Sequence, residues 1–384
     1  MLAVAIPSVV NAAIMVRGYD GGPYLRGDCP YYYYTALALL KNHRFDLSRQ
    51  LPGGWFQHAN QIALSKNGRP VAKHPVVMPI LSLPFIEIFG KPGALIFNVA
   101  QCTLLLVVLY LLAVRVAHPF AASAAVILTY VASFLPHYVW NYSPDLCATL
   151  LVTAGTLVVA AARRRRDWIW GGVLLGLACA AKYPLVLFIA PTLLLIRRPF
   201  LPRAFELAAG MLIPLTLFAL LNFHQFGSPF TTGYDRIAVL NADYVASTYS
   251  QRSSFDLPFR EGFSGQLFDP EHGLLRTSPI TLISLLGFPL LLWRDRRLGA
   301  TLAVDSLALF LLFCFYDQWN ASHYGNRFLM PVVAFGAVPL AALIQPLLGA
   351  RAIRAGGIRG DLVHDDREDR GGRNREDCAD HAPE

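Results

Sequence analysis

Blocks of roughly 15 to 25 apolar residues, many without a charge, recur along this 384-residue chain. Each is about the length that crosses a ~30 Å hydrocarbon core as a helix. A backbone in lipid must satisfy its polar groups within its own segment, so such a chain folds as a helical bundle in a membrane. Charged residues make up only 15% of the chain, against about 25% in soluble domains. The fold class expected is all-α and polytopic.

Basic clusters set the orientation. Arg163 to Arg166, Arg197, Arg198 and Arg203, then Arg294, Arg296 and Arg297, and finally Arg351 and Arg354 read as cytoplasmic. The net charge of +8 therefore reflects topology and does not point to nucleic acid. Spans are expected near 94–114, 119–136, 146–162, 168–182, 184–196, 204–222, 279–293, 298–316 and 328–349; with Leu2 to Val16 they make about ten. The pair 168–182 and 184–196 is short and reads as a hairpin broken at Lys182-Tyr183-Pro184. Pro75 to Gly90 is apolar, but it carries Pro75, Pro79, Pro84 and Glu87, which suits a re-entrant or surface-lying helix.

Four outer loops follow from this: a large first loop at 17–92, then 137–145, 223–278 and 317–327. The membrane domain spans 1–349, and 350–384 reads as a disordered, charged cytoplasmic tail. The six cysteines form no framework: Cys102, Cys147, Cys179 and Cys314 lie in apolar segments, Cys378 in the tail, and Cys29 has no obvious partner. No signal peptide is read. Leu2 to Val16 is short for a span, which leaves room for a start upstream of Met1.

The polar oddities gather on the outer face. Asp28, in Arg26-Gly27-Asp28-Cys29-Pro30-Tyr31-Tyr32-Tyr33-Tyr34, is either a helix N-cap or a carboxylate poised to orient or deprotonate an acceptor hydroxyl. Asp145, after Tyr142-Ser143-Pro144, is either a cap or a costly intramembrane acid kept for function. Lys182 either snorkels to the interface or meets a lipid phosphate. Arg327, at the outer mouth of the last span, runs against the positive-inside bias and is better explained by an anion on that face. Lys73, His74 and Arg276 complete a group of acids and bases suited to an anionic, lipid-linked substrate. Asn320-Ala321-Ser322 matches a glycosylation acceptor pattern that is common by chance. No zinc signature, Walker loop or serine-hydrolase elbow competes.

Several short motifs together resemble the GT-C glycosyltransferases, specifically the bacterial dolichyl-phosphate-mannose-protein-mannosyltransferase-like group, which is related to the aminoarabinose lipid A transferases. They are Gly27-Asp28-Cys29-Pro30-Tyr31-Tyr32, Lys73-His74-Pro75, Tyr142-Ser143-Pro144-Asp145, Gly176-Leu177-Ala178-Cys179 before Lys182-Tyr183-Pro184, Gly227-Ser228-Pro229 with Thr232-Gly233-Tyr234, and Tyr324-Gly325-Asn326-Arg327-Phe328. The resemblance implies a GT-C-like bundle in a bacterial plasma membrane, with its active site facing outside. It also implies a sugar donor carried on polyprenyl phosphate and inverting transfer to an acceptor. By the same resemblance Asp28 matches the catalytic aspartate of loop one, and Lys182 and Arg327 match positions that would hold the donor phosphate. The substrate-binding set expected is Lys73, His74, Tyr142, Asp145, Lys182, Tyr234, Arg276 and Arg327. Many relatives carry a second acid where this chain has Cys29, and no metal site is indicated. Two rivals stand beside this reading: a transporter or flippase of a lipid-linked sugar, and an inactive relative serving as a partner subunit.

Overall fold

The computed structural model describes residues 27–240, 246–250, 254–321 and 324–348, together with residues 9 and 25. The expected first span apart from Val9, the charged tail and Ser322 of the glycosylation pattern lie outside the described residues. Met1–Gln345 form one compact unit; of a second, Pro346–Glu384, only residues 346–348 are described.

The first unit is a multi-pass helical bundle. Four described helical stretches are long and apolar enough to cross a membrane: Pro92–Ala113, Pro144–Ala161, Phe200–Phe226 and Arg327–Leu348. Proline at the first turn starts three of the helices that follow: α3 (Pro92–Ala113), α4 (Pro119–Val131) and α5 (Pro144–Ala161). Its missing N–H would have been unpaired there in any case. α6 (Arg165–Ala181) ends at Lys182, and the chain continues to Leu195 as a broken run of short helical turns. α7 (Phe200–Phe226) closes on Gly227, whose φ of 83° is the left-handed conformation glycine adopts freely.

Several spans differ from expectation. The stretch 279–293 is two helices, Pro279–Leu285 and Phe288–Arg294. They part at Gly287, where a Cβ would stand 1.9 Å from the Pro339 carbonyl oxygen, so close packing against the last span occupies the place of a side chain. The last span is itself broken into short helices at Gly336. α2 (Val77–Phe89) has 13 residues with Pro84 inside, about 20 Å at 1.5 Å per residue, too short for the hydrocarbon core. Together with α1 (Cys29–Asn42) it belongs to the first expected outer loop.

The all-α expectation also missed a small sheet. β1 (Ile62–Leu64), β2 (Pro70–Ala72), β3 (Ile237–Leu240) and β4 (Ala246–Tyr249) form an antiparallel sheet in the order β2-β1-β3-β4. Strands of three or four residues are too short to print a period-2 pattern. The sheet joins the first expected outer loop to the third, and Ile62 and Leu64 pack with Ala38, Leu47 and Leu51 beneath it.

Arginines at the expected cytoplasmic ends have specific partners. Arg115 donates to the Ala160 carbonyl (2.8 Å), Arg294 to that of Val116 (2.6 Å) and Arg297 to that of Ile196 (2.6 Å). Each serves a carbonyl at or beyond a helix end that the helix itself cannot satisfy.

α6 and α7 cross at glycine. A Cβ on Gly172 would lie 2.1 Å from the Leu207 oxygen, and one on Gly210 would lie 2.0 Å from that of Ile169. Small residues let membrane helices approach backbone to backbone. Gly210→Val is expected to force the crossing apart, costing at least about 1–3 kcal/mol and lowering the melting temperature in detergent. An unchanged melting curve would show that the crossing tolerates the added volume.

Candidate active site

Above the bundle the two joined loops roof a cavity of about 860 Å³. Its lining includes Asp28, Lys73, His74, Asp145, Lys182, Tyr234 and Arg327. Seven of the nine expected site residues are thus brought together from positions up to 299 residues apart. The other two are elsewhere. Tyr142 is buried in the core, its hydroxyl 2.6 Å from that of Ser82, because the turn before α5 directs its ring inward. Arg276 sits exposed on the short Leu274–Thr277 helix. Neither lines the cavity.

Asp28 takes the N-cap position of α1, yet its side chain makes no capping hydrogen bond. The carboxylate instead accepts from Arg327 Nη2 at 3.3 Å and lies 3.8 Å from His74 Nε2. Burial pushes this carboxyl up, but the His74 ring edge facing it, through its N–H dipole, with the Arg327 guanidinium and the Lys73 ammonium, outweighs that and holds it below its ordinary value. His74 itself is pushed down by burial to about 3, in spite of the neighbouring Asp28 carboxylate, so its imidazole is neutral at physiological pH. The ionic hold on Asp28 therefore comes from Arg327 and Lys73.

If the ionised carboxylate is the working form, a depressed pKa extends activity toward acid. Removing a cation raises that pKa. Arg327→Gln is expected to move the acid limb of the pH–rate profile upward, apart from any loss of rate, and a limb that stays in place would uncouple Arg327 from Asp28.

Arg327 is delivered by the Tyr324-Gly325-Asn326-Arg327-Phe328 motif. Gly325 has φ 65°, and a Cβ there would run into the Phe134 ring. The Asn326 side chain accepts from the Phe328 N–H at 3.1 Å, starting the short helix on which Arg327 sits. The Arg327 Nε is buried with no partner, a spare donor in a cationic group.

Lys182 does not snorkel. Its ammonium pairs with the Asp145 carboxylate, reaches the Arg327 carbonyl at 3.5 Å and lies 4.9 Å from the centre of the Phe328 ring. Asp145 is in the first turn of α5 but spends its charge on this pair. Lys73 donates to the Asn60 carbonyl at 2.8 Å; among the described residues its ammonium forms an ion pair with no carboxylate. Burial pushes its pKa down, against the pull of Asp28.

The third expected loop brings Tyr234. A Cβ on Gly233 would lie 2.4 Å from the Lys73 oxygen, so this segment lies directly on the Lys73-His74 backbone. The Asp235 carboxylate accepts from the Thr232 N–H at 2.9 Å and from its hydroxyl at 3.0 Å, and the Thr232 side chain accepts in return from the Asp235 N–H, closing a cap around it. The Tyr234 hydroxyl then stands 2.9 Å from His74 Nδ1.

Sequence reasoning missed other lining residues: Tyr32, Gln61, Asn141, Tyr183 and Tyr316 among them. Cys29, in place of a second acid, bonds through its thiol to Asn141 Oδ1 at 2.6 Å. Asn98 in turn donates to the carbonyls of Val139 (3.2 Å) and Asn141 (3.0 Å). An asparagine inside the apolar α3 was a legible signal, since buried amides in spans seek partners. Among the described residues no three His, Cys, Asp or Glu side chains converge as metal ligands do.

The fold has relatives. Residues 73–224 match the family model of dolichyl-phosphate-mannose-protein mannosyltransferase, a stretch holding Lys73, His74, Asp145 and Lys182 but not Asp28 or Arg327. ArnT from Cupriavidus metallidurans bound to undecaprenyl phosphate superposes with a TM-score of 0.54 at 15% identity, over 92% of this chain and 62% of that one. The apo oligosaccharyltransferase of Archaeoglobus fulgidus gives 0.54 at 13%, over 93% and 52%. AglB from the same organism, in complex with an inhibitory peptide and a dolichol-phosphate, gives 0.53 at 14%, over 93% and 52%. The chain spans about half to six tenths of these proteins. No curated protein sequence matches significantly. The chain has the fold of the GT-C glycosyltransferases, as its motifs led one to expect.

Proposed function

We propose that the protein is a membrane glycosyltransferase that moves a sugar from a polyprenyl-phosphate donor to an acceptor hydroxyl at the extracytoplasmic face, with inversion. The observation that carries this reading is the cavity in which Asp28 meets Lys73, Lys182 and Arg327 under the joined loops.

The chemistry follows from charge. The acceptor oxygen forms a bond to the anomeric carbon as the bond from that carbon to the phosphate oxygen breaks. The electron pair of the breaking bond leaves with the lipid, whose phosphate goes from one negative charge to two. Preorganised cations act on the charge that develops in the transition state. The hydroxyl proton passes to Asp28. With its basicity lowered by Arg327, the carboxylate takes that proton late and first serves to aim the hydroxyl. Once protonated, it holds Arg327 less tightly, and the guanidinium is free for the departing phosphate. Attack opposite the leaving phosphate in a single displacement inverts the anomeric carbon.

The test is transfer of radiolabelled sugar in proteoliposomes, using a panel of polyprenyl-phosphate sugars and nucleotide sugars with a mixture of envelope acceptors. Transfer from a polyprenyl-phosphate sugar, and none from nucleotide sugars, is expected. Vectorial movement of the intact lipid-linked sugar without transfer would replace this reading with the flippase.

A further inference from the structure

His74 Nε2 is buried and makes no hydrogen bond, yet it faces Asp28 Oδ1 across 3.8 Å. That separation is too long for a hydrogen bond between them. It does suit a third atom, since one oxygen about 2.8 Å from each completes two hydrogen bonds of normal length. The imidazole is held firmly for this. Tyr32 packs against it with ring centroids 4.9 Å apart and 31° between planes, Tyr234 meets it edge-on at 5.6 Å, and Nδ1 lies 2.9 Å from the Tyr234 hydroxyl.

The tautomer follows from electrostatics. A neutral imidazole beside a carboxylate is favoured with its N–H dipole aimed at the charge, which places the proton on Nε2. Nδ1 then has a lone pair, and the Tyr234 O–H donates to it. Burial pushes the Tyr234 phenol well up, so it keeps the proton it donates.

We propose that His74 Nε2 and Asp28 Oδ1 together form the acceptor subsite, selecting a neutral hydroxyl oxygen, with Tyr234 fixing the His74 tautomer. This rests on the glycosyltransferase reading and deepens it by naming the residues that seat its acceptor hydroxyl. A hydroxyl gives its proton to Asp28 and still has a lone pair for the Nε2–H. An amide nitrogen has no such lone pair, and an ammonium has none at all. A phosphate or carboxylate in this seat would meet the Asp28 Oδ1 charge directly, and His74, being neutral, brings no charge of its own to offset it; Arg327 is engaged with the other carboxylate oxygen. The subsite therefore points to an alcohol acceptor and to transfer onto oxygen.

The experiment compares acceptor and donor kinetics in wild type, His74→Ala, His74→Gln and Tyr234→Phe, with melting curves to confirm folding. An amide in His74→Gln keeps a neutral donor near the Nε2 position. Losing one hydrogen bond to the bound hydroxyl is worth about tenfold. His74→Ala is expected to raise the acceptor KM or lower kcat by about that factor, His74→Gln to recover part of it, and Tyr234→Phe to give a smaller loss of the same kind. Donor KM should stay constant in all three. If the acceptor terms are unchanged, if the donor KM changes alone, or if the wild type uses an amide acceptor as well as a hydroxyl, the subsite is overturned. A wild type that transfers from no polyprenyl-phosphate sugar overturns the enzyme reading, and the subsite with it.

Discussion

Asp28→Asn is expected to lower sugar transfer by about 10²- to 10⁴-fold, the range typical for loss of a positioned acid–base group, with protein level and melting temperature close to wild type. The substitution is nearly isosteric, so packing at the start of α1 is kept. The side chain makes no capping bond to lose, and the amide oxygen still accepts from Arg327. What disappears is the charge that aims and finally receives the acceptor's proton. The assay is radiolabelled transfer in membranes carrying equal amounts of the two proteins. Unchanged transfer would remove Asp28 from the chemistry. Loss of the protein itself would mean that the Arg327 pair is chiefly structural, and Asp28→Glu would then separate charge from geometry.

How much of this was legible in sequence depended on the range of the signal. Helices α3, α5 and α7 announce themselves through long apolar runs, and the break at Lys182-Tyr183-Pro184 is where the helix ends. Arg327 stood out because it violates a charge bias, and the fold gives it a carboxylate 299 residues away. Pairings of that kind are not written in local pattern. Capping for Asp28 and Asp145 and snorkelling for Lys182, each one of two alternatives the sequence offers, are local readings, and each gives way to a tertiary partner: Arg327, Lys182 and Asp145 respectively. The sheet escaped notice for a related reason. β1 meets β3 through the pairing of Ala63 with Ile237, across about half of the unit's sequence. Tyr142 runs the other way: expected among the substrate-binding residues from its place in an outer loop beside Asp145, it has its ring in the core and its hydroxyl bonded to Ser82.

The second large effect concerns Lys182 and Asp145, which are 11% and 4% exposed. Lys182→Met leaves the Asp145 carboxylate buried without its partner, and Asp145→Leu strands the ammonium. Removing one member of a buried pair typically costs about 3–5 kcal/mol, a large share of the stability of most folded proteins. Each single variant is expected to accumulate poorly and melt early. The double variant Asp145→Leu/Lys182→Met removes both charges and fills the space with apolar groups, an exchange that is often neutral or stabilising, so it should regain folded protein. It should not regain transfer. The Lys182 ammonium also reaches the Arg327 carbonyl and packs over Phe328, so its loss takes a cation from the cavity and loosens the segment that carries Arg327. Folded protein with transfer reduced at least tenfold is the expected result, read from size-exclusion yield, melting temperature and the radiolabel assay together. Single variants as stable as wild type would mean that the pair adds little to the fold. A double variant with full transfer would confine it to structure and leave Lys73 and Arg327 as the cations that meet the phosphate.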